Sequence, residues 1–125
     1  PNVFERNYLY RLHEPLDLAA MRQAAEDLCG THDYRAFCSL KRFKRSTVRR
    51  VESITIEDLG PELRFTVSGD GFLYHMVRIL VGTLLAVGRG QLAPDEMGDI
   101  LASQDRRRAG ETVPACGLCL TDVRY

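Results

Sequence analysis

The sequence predicts an α+β fold, an antiparallel sheet with helices packed on one face. Three observations carry that expectation. Two segments flanking Leu59-Gly60-Pro61 are β-rich or alternate apolar with polar residues, as a half-wet hairpin does. Two longer segments repeat apolar residues at helical spacing. Strands and helices also lack the regular alternation that a parallel sheet needs.

Along the chain, Pro1 to Pro15 mixes Phe4, Tyr8 and Tyr10 with charges. It predicts an extended lead-in with an edge strand at Tyr8 to Leu12. Asp17 is a good helix N-cap. Leu18, Met21, Ala25 and Leu28 then share one helical face, and Gly30 supplies a stop, so a first helix runs from Leu18 to Cys29. Thr31 to Phe37 predicts a structured turn. Val48 to Glu57 is rich in β-formers, and Glu62 to Ser68 points Leu63, Phe65 and Val67 one way, Arg64 and Thr66 the other. Gly69-Asp70-Gly71 breaks that strand. A long helix is expected over Phe72 to Val87, with Val77, Leu80, Leu84 and Val87 as its core stripe and Gly88 and Gly90 ending it. Pro94 suits the first turn of another helix, burying Met97, Ile100 and Leu101. Asp105 to Pro114 reads as a polar loop, and Gly117 to Tyr125 as a closing strand.

At 125 residues the chain predicts one domain, large enough for a core without disulfide staples. Lys and Arg number 17, as do Asp and Glu, so net charge nominates no partner. No apolar run approaches the ~20 residues of a membrane span, and no signal-peptide pattern is present. The chain opens on Pro1 without an initiator Met, which predicts a piece of something longer. Cys29, Cys38, Cys116 and Cys119 are expected to be reduced thiols of a cytosolic protein. Cys116 and Cys119 form a lone CxxC in a predicted strand, with no matched second pair, so a metal or redox site is not expected.

Two features carry chemistry. On the expected Phe72 to Val87 helix, His75, Arg78 and Gly82 share a stripe. An Arg on so apolar a helix needs a partner. That partner is a carboxylate or phosphate, a local acid such as Asp70 or Glu96, or solvent reached by snorkelling. Second, Lys41, Arg42, Lys44, Arg45, Arg49 and Arg50 lie within ten residues that contain no acid, with Phe43 among them. That pattern suits phosphate contacts with an aromatic for stacking, or else a solvated loop. Arg106-Arg107-Arg108, flanked by Asp105 and Glu111, reads as solvated.

The segment Gly71-Phe72-Leu73-Tyr74-His75-Met76-Val77-Arg78, with Ile79, Gly82, Leu85 and Val87-Gly88-Arg89-Gly90, resembles the helix signature of the tRNA pseudouridine synthase A family. Pro15-Leu16-Asp17, Gly30-Thr31-His32-Asp33-Tyr34, Thr47-Val48-Arg49 and Ala115 to Tyr125 resemble further family stretches in the same order. Tyr34 stands where the family usually has Phe. The resemblance spans essentially the whole chain and implies half of a pseudouridine synthase fold, the C-terminal domain over residues 1–125. The nucleophilic aspartate and a base-stacking tyrosine belong to an N-terminal domain absent from this chain. The implied reaction turns uridine into pseudouridine in the anticodon stem-loop of tRNA, at positions 38, 39 and/or 40, without metal or cofactor. The base leaves its stack, aspartate attacks the nucleotide, the glycosidic bond breaks, the base rotates, and C5 rejoins the sugar.

Arg78 would pair with that aspartate. Phe72, Tyr74 and His75 would wall the cleft, and Lys41, Arg42, Lys44, Arg45 and Arg49 would contact tRNA phosphates. The implied assembly is a cytoplasmic homodimer, and this half alone would be inactive. The alternative is a stand-alone RNA-binding or dimerisation module without catalysis.

Overall fold

A computed structural model describes residues 3–40, 45–115 and the backbone of 118–119. The strands are β1 (Phe4–Arg11), β2 (Gly30–Asp33), β3 (Val48–Asp58), β4 (Glu62–Gly69) and β5 (Leu118–Cys119). The helices are α1 (Leu18–Asp27), α2 (Met76–Gly88) and α3 (Met97–Ser103). All strand pairs are antiparallel, in the order β2-β3-β4-β1-β5. The expected α+β architecture, helices on one face of an antiparallel sheet, is what the chain adopts. Among the described residues no helix is long and apolar enough to cross a membrane.

The central hairpin forms for the reasons its sequence offers. Gly60 takes a left-handed φ of 91° in the turn, where a side chain would be strained, and Leu59 N–H bonds Glu62 O at 2.9 Å. Leu63, Phe65 and Val67 then point to one side and are fully buried. On β3, Val51 and Ile56 join the same core, the pairing register shifting between Val51 and Ser53. The opposite sheet face is polar: Asn7, Thr55, Glu57, Arg64 and Thr66 line a shallow concavity of about 490 Å³.

Two segments are more ordered than the sequence suggested. The lead-in pairs with β4 residue for residue, from Phe4 opposite Gly69 to Arg11 opposite Glu62. β5 then covers β1 at Asn7 and Tyr8, so β1 is not a bare edge there. The expected turn after Gly30 begins as a further paired strand, β2, with His32 opposite Arg49. Neither has clear alternation of its own; long-range pairing supplies the order.

Tyr34 closes this region. It is fully buried, and its hydroxyl donates to Leu28 O at 2.6 Å and lies 3.1 Å from Gly30 O. Burial pushes the phenol well above its ordinary pKa, so it stays a donor. Tyr34→Phe removes the donor to the Leu28 carbonyl at the end of α1. A loss of about 1 kcal/mol is expected, read as a lower urea midpoint of the full-length protein at unchanged slope.

The helix α1 starts as predicted, with the Asp17 carboxylate accepting from Ala20 N–H at 3.1 Å. The first turn at Pro94–Glu96 is a 3-10 turn that runs into α3, which buries Met97, Ile100 and Leu101. The helix α2 differs from expectation: it begins at Met76, four residues late. His75 adopts a left-handed φ of 61°, and Met76 N–H closes a turn onto Leu73 O at 3.0 Å. A left-handed residue cannot continue a right-handed helix. Phe72 to His75 therefore form a turn across the helix entrance. His75 is not on the stripe expected of it with Arg78 and Gly82.

Candidate active site

Of the thirteen residues of α2, all but Arg78 are buried. A helix apolar on every side must be covered on every side. The sheet, α1 and the chain around residues 109–114 provide that cover, and Arg78 emerges where it opens. Its Nε donates to Val113 O at 2.7 Å. Among the described residues no carboxylate lies within ion-pair distance of it. The two acids that local chemistry nominated have other work. Asp70 accepts the Arg50 N–H at 2.9 Å, and Glu96 accepts the Ala93 N–H at 2.6 Å in a helix-start turn. Among the described residues only the inner edge of the guanidinium has a partner, the Val113 carbonyl, and no acid forms a salt bridge with it.

Arg78 lines an open pocket of about 280 Å³ with Phe72, Leu73, Tyr74, His75 and Arg6. The structure therefore gathers four of the predicted site residues, Phe72, Tyr74, His75 and Arg78, at one place. The turn ahead of α2 explains how. Because it does not coil into the helix, it lays the rings of Phe72, Tyr74 and His75 along the pocket wall. Tyr74 and His75 stack with centroids 3.8 Å apart and planes at 27°. Ser39 Oγ holds the other side of His75, 3.0 Å from Nδ1. Desolvation and, after it, the Arg78 charge hold the imidazole below its ordinary pKa. Tyr74 remains 55 % exposed, an aromatic face turned to solvent beside a cationic pocket.

Arg6 is the residue that sequence reasoning missed. Its guanidinium carbon sits 5.6 Å from the Phe72 ring centroid, within cation–π range. Its signal was its place on β1, two residues from buried Tyr8 and hence on the helix side of the sheet, which becomes legible once β1 is known to be a strand.

The basic segment is only partly in view. Lys41, Arg42 and Lys44 lie outside the described residues, as does Phe43. Arg45 is exposed. Arg49 bends over its own strand entry, with Nη1 2.8 Å from Ser46 O and 2.7 Å from Val48 O. Its Nε lies 3.6 Å from where a Cβ on Gly71 would stand, which puts Arg49 beside the turn that leads to Phe72. Arg6, Arg49 and Arg78 thus surround one aromatic turn with positive charge, a surface suited to a phosphodiester strand carrying unstacked bases. Of the CxxC, Cys116 lies outside the described residues and Cys119 is seen only as β5 backbone; Cys29 and Cys38 are free thiols.

Comparison with known proteins adds an independent line. Residues 24–125 match the family described as tRNA pseudouridine synthase. The chain is 48% identical over 125 residues to tRNA pseudouridine synthase A of Moorella thermoacetica, covering 100% of this chain and 51% of that protein. It is 48% identical over 124 residues to tRNA pseudouridine synthase A 1 of Bacillus cereus, covering 99% and 50%. With tRNA pseudouridine synthase A 2 of Clostridium perfringens it shares 43% over 125 residues, covering 100% and 51%. The chain spans about half the length of these curated relatives.

Proposed function

This chain belongs to the tRNA pseudouridine synthase family, and from that premise we propose that it forms the C-terminal half of an enzyme that isomerises uridine to pseudouridine in the anticodon stem-loop of tRNA. The observation that carries the reading is Arg78. It is the one residue of α2 that is not buried, and it lines a pocket, held by a carbonyl and facing no carboxylate among the described residues. A guanidinium so placed is prepared for an acid arriving from outside the chain. The nucleophilic aspartate of the other half fits that role. Arg78 would keep it ionised by opposite charge and aim it through a two-point contact.

The remaining candidate residues take supporting roles on the same reading. Phe72, Tyr74 and His75 wall the place where the extruded base lies, and Tyr74 offers an open ring face for stacking. Arg49, Arg45, Lys41, Arg42 and Lys44 contact phosphates, which position the RNA without reading its sequence. The same reading makes tRNA the partner and a cytoplasmic homodimer the assembly, with no cofactor.

The product replaces the uracil C5–H bond with a bond from C5 to the sugar, so the C5 hydrogen is released. Full-length protein given tRNA tritiated at uridine C5 should release tritium to solvent, and the 125-residue chain alone should not. Release by the chain alone would refute its inactivity. No release by the full-length protein, with tRNA binding that weakens steeply with salt, would favour the binding-module alternative.

A further inference from the structure

Arg78 does not find its position unaided. After α3 the chain takes a 3-10 turn at Arg106–Arg108, crosses α2, and ends beside β1. This strap touches α2 backbone to backbone. A Cβ built on Gly82 would overlap Glu111 O, and one on Gly110 would stand 2.6 Å from Thr83 N and Cα. Only two glycines facing each other allow that approach. At its far end the strap is tied to the sheet, where the Tyr8 hydroxyl donates to Pro114 O at 2.8 Å.

Two side chains hold the crossing. Thr83 is fully buried; its hydroxyl donates to Ile79 O at 2.8 Å and accepts the Gly110 N–H at 2.8 Å. Arg106 turns inward from the triple-arginine run. Its Nη1 donates to Gly110 O at 2.7 Å and its Nη2 to Thr112 Oγ1 at 3.0 Å. The next residue, Val113, faces Arg78 with both backbone groups: its N–H lies 3.4 Å from Arg78 O, and its carbonyl accepts Arg78 Nε at 2.7 Å. A long side chain that would otherwise sample many rotamers is thereby pinned at Nε. Among the described residues its outer fork, Nη1 and Nη2, meets no partner and can take a carboxylate.

We propose that Thr83 and Arg106 are positioning residues for Arg78, acting through the strap and its Val113 carbonyl. The inference rests on the reading of Arg78 as partner of the nucleophilic aspartate. Thr83 is the sharper probe, because a residue with no exposed surface has no RNA contact to lose.

The test is steady-state turnover of the full-length protein on tRNA, with Thr83→Val, Arg106→Lys and Arg106→Gln, each in the wild-type and in the Arg78→Lys background. In the wild-type background, kcat should fall between about tenfold and a hundredfold, the scale of a misplacement near 1 Å, with KM for tRNA within about twofold. Arg106→Lys, which keeps a donor, should recover part of the Arg106→Gln loss. A lysine lacks Nε–H and cannot use the Val113 carbonyl in the same way, so in the Arg78→Lys background Thr83→Val should cost almost nothing further. An equal loss in both backgrounds, or a rise in KM alone, overturns the proposal. If Thr83→Val fails to fold, the Arg106 pair decides by the same cycle. Wild-type turnover by Arg78→Lys and Arg78→Ala would instead sink the role of Arg78 itself.

Discussion

Arg78→Ala in the full-length protein is expected to lower kcat for pseudouridine formation by about 10²- to 10³-fold while tRNA affinity changes by less than about tenfold. The asymmetry follows from geometry. Arg78 is half-buried and pinned at Nε by the Val113 carbonyl, whereas the proposed phosphate contacts belong to the separate basic segment that includes exposed Arg45. On the proposed pairing, its loss leaves the aspartate without an opposite charge, and such a charge lowers a neighbouring carboxyl pKa. The carboxylate should therefore titrate at higher pH in the variant. Since only the ionised form attacks, the acidic limb of the kcat profile should move up in pH, with activity lost earlier as pH falls. Arg78→Lys keeps the charge but not the two-point contact, and should fall between the two. Wild-type rates of tritium release from Arg78→Ala would remove the main support for the proposed function.

Among the described glycines, Gly82→Ala should be the most damaging alanine substitution. In an exposed helix the change would stabilise by about 1 kcal/mol, because glycine carries the greater backbone entropy. Here the new methyl would overlap the Glu111 carbonyl, which is backbone and cannot rotate away. A net loss of about 2 kcal/mol or more is expected, by displacing the strap from α2. Turnover should fall further than stability, since the strap carries the Val113 carbonyl that holds Arg78. Gly98→Ala is the matched control. It also lies within a helix, but nothing stands within 4 Å of its added Cβ, so the midpoint of unfolding should be unchanged or rise. Equal behaviour of the two alanine variants in chemical denaturation would show that the close crossing at Gly82 is not a real constraint.

Much of this was legible in the residues. The hairpin of β3 and β4 follows from alternation around a glycine turn, and α3 from a proline followed by apolar residues at helical spacing. Arg78 stood out because a charge on so apolar a helix demands a partner, and the resemblance of the surrounding signature nominated a carboxylate. Other features were not legible for a common reason. The start of α2 depends on a left-handed His75, a conformation that only its surroundings favour. The order of β1 comes from β4, more than fifty residues away. Arg6 became a candidate only once that strand existed. In the Arg106 to Arg108 run the charges look alike, yet Arg107 pairs outward with Asp105 while Arg106 turns in to hold the strap.

By itself the sequence determined the α+β class, most strand and helix segments, and the family to which Arg78 and its neighbours point. Those are local properties: period, capping and turn chemistry act within a few residues. The tertiary structure alone decided that Asp70 and Glu96 are not the partners of Arg78, that Arg6 and Arg49 attend the same aromatic turn, and that a strap from residues 105–114 sets the arginine in place. Each depends on atoms distant in sequence meeting at hydrogen-bond or van der Waals range, and no local pattern encodes that.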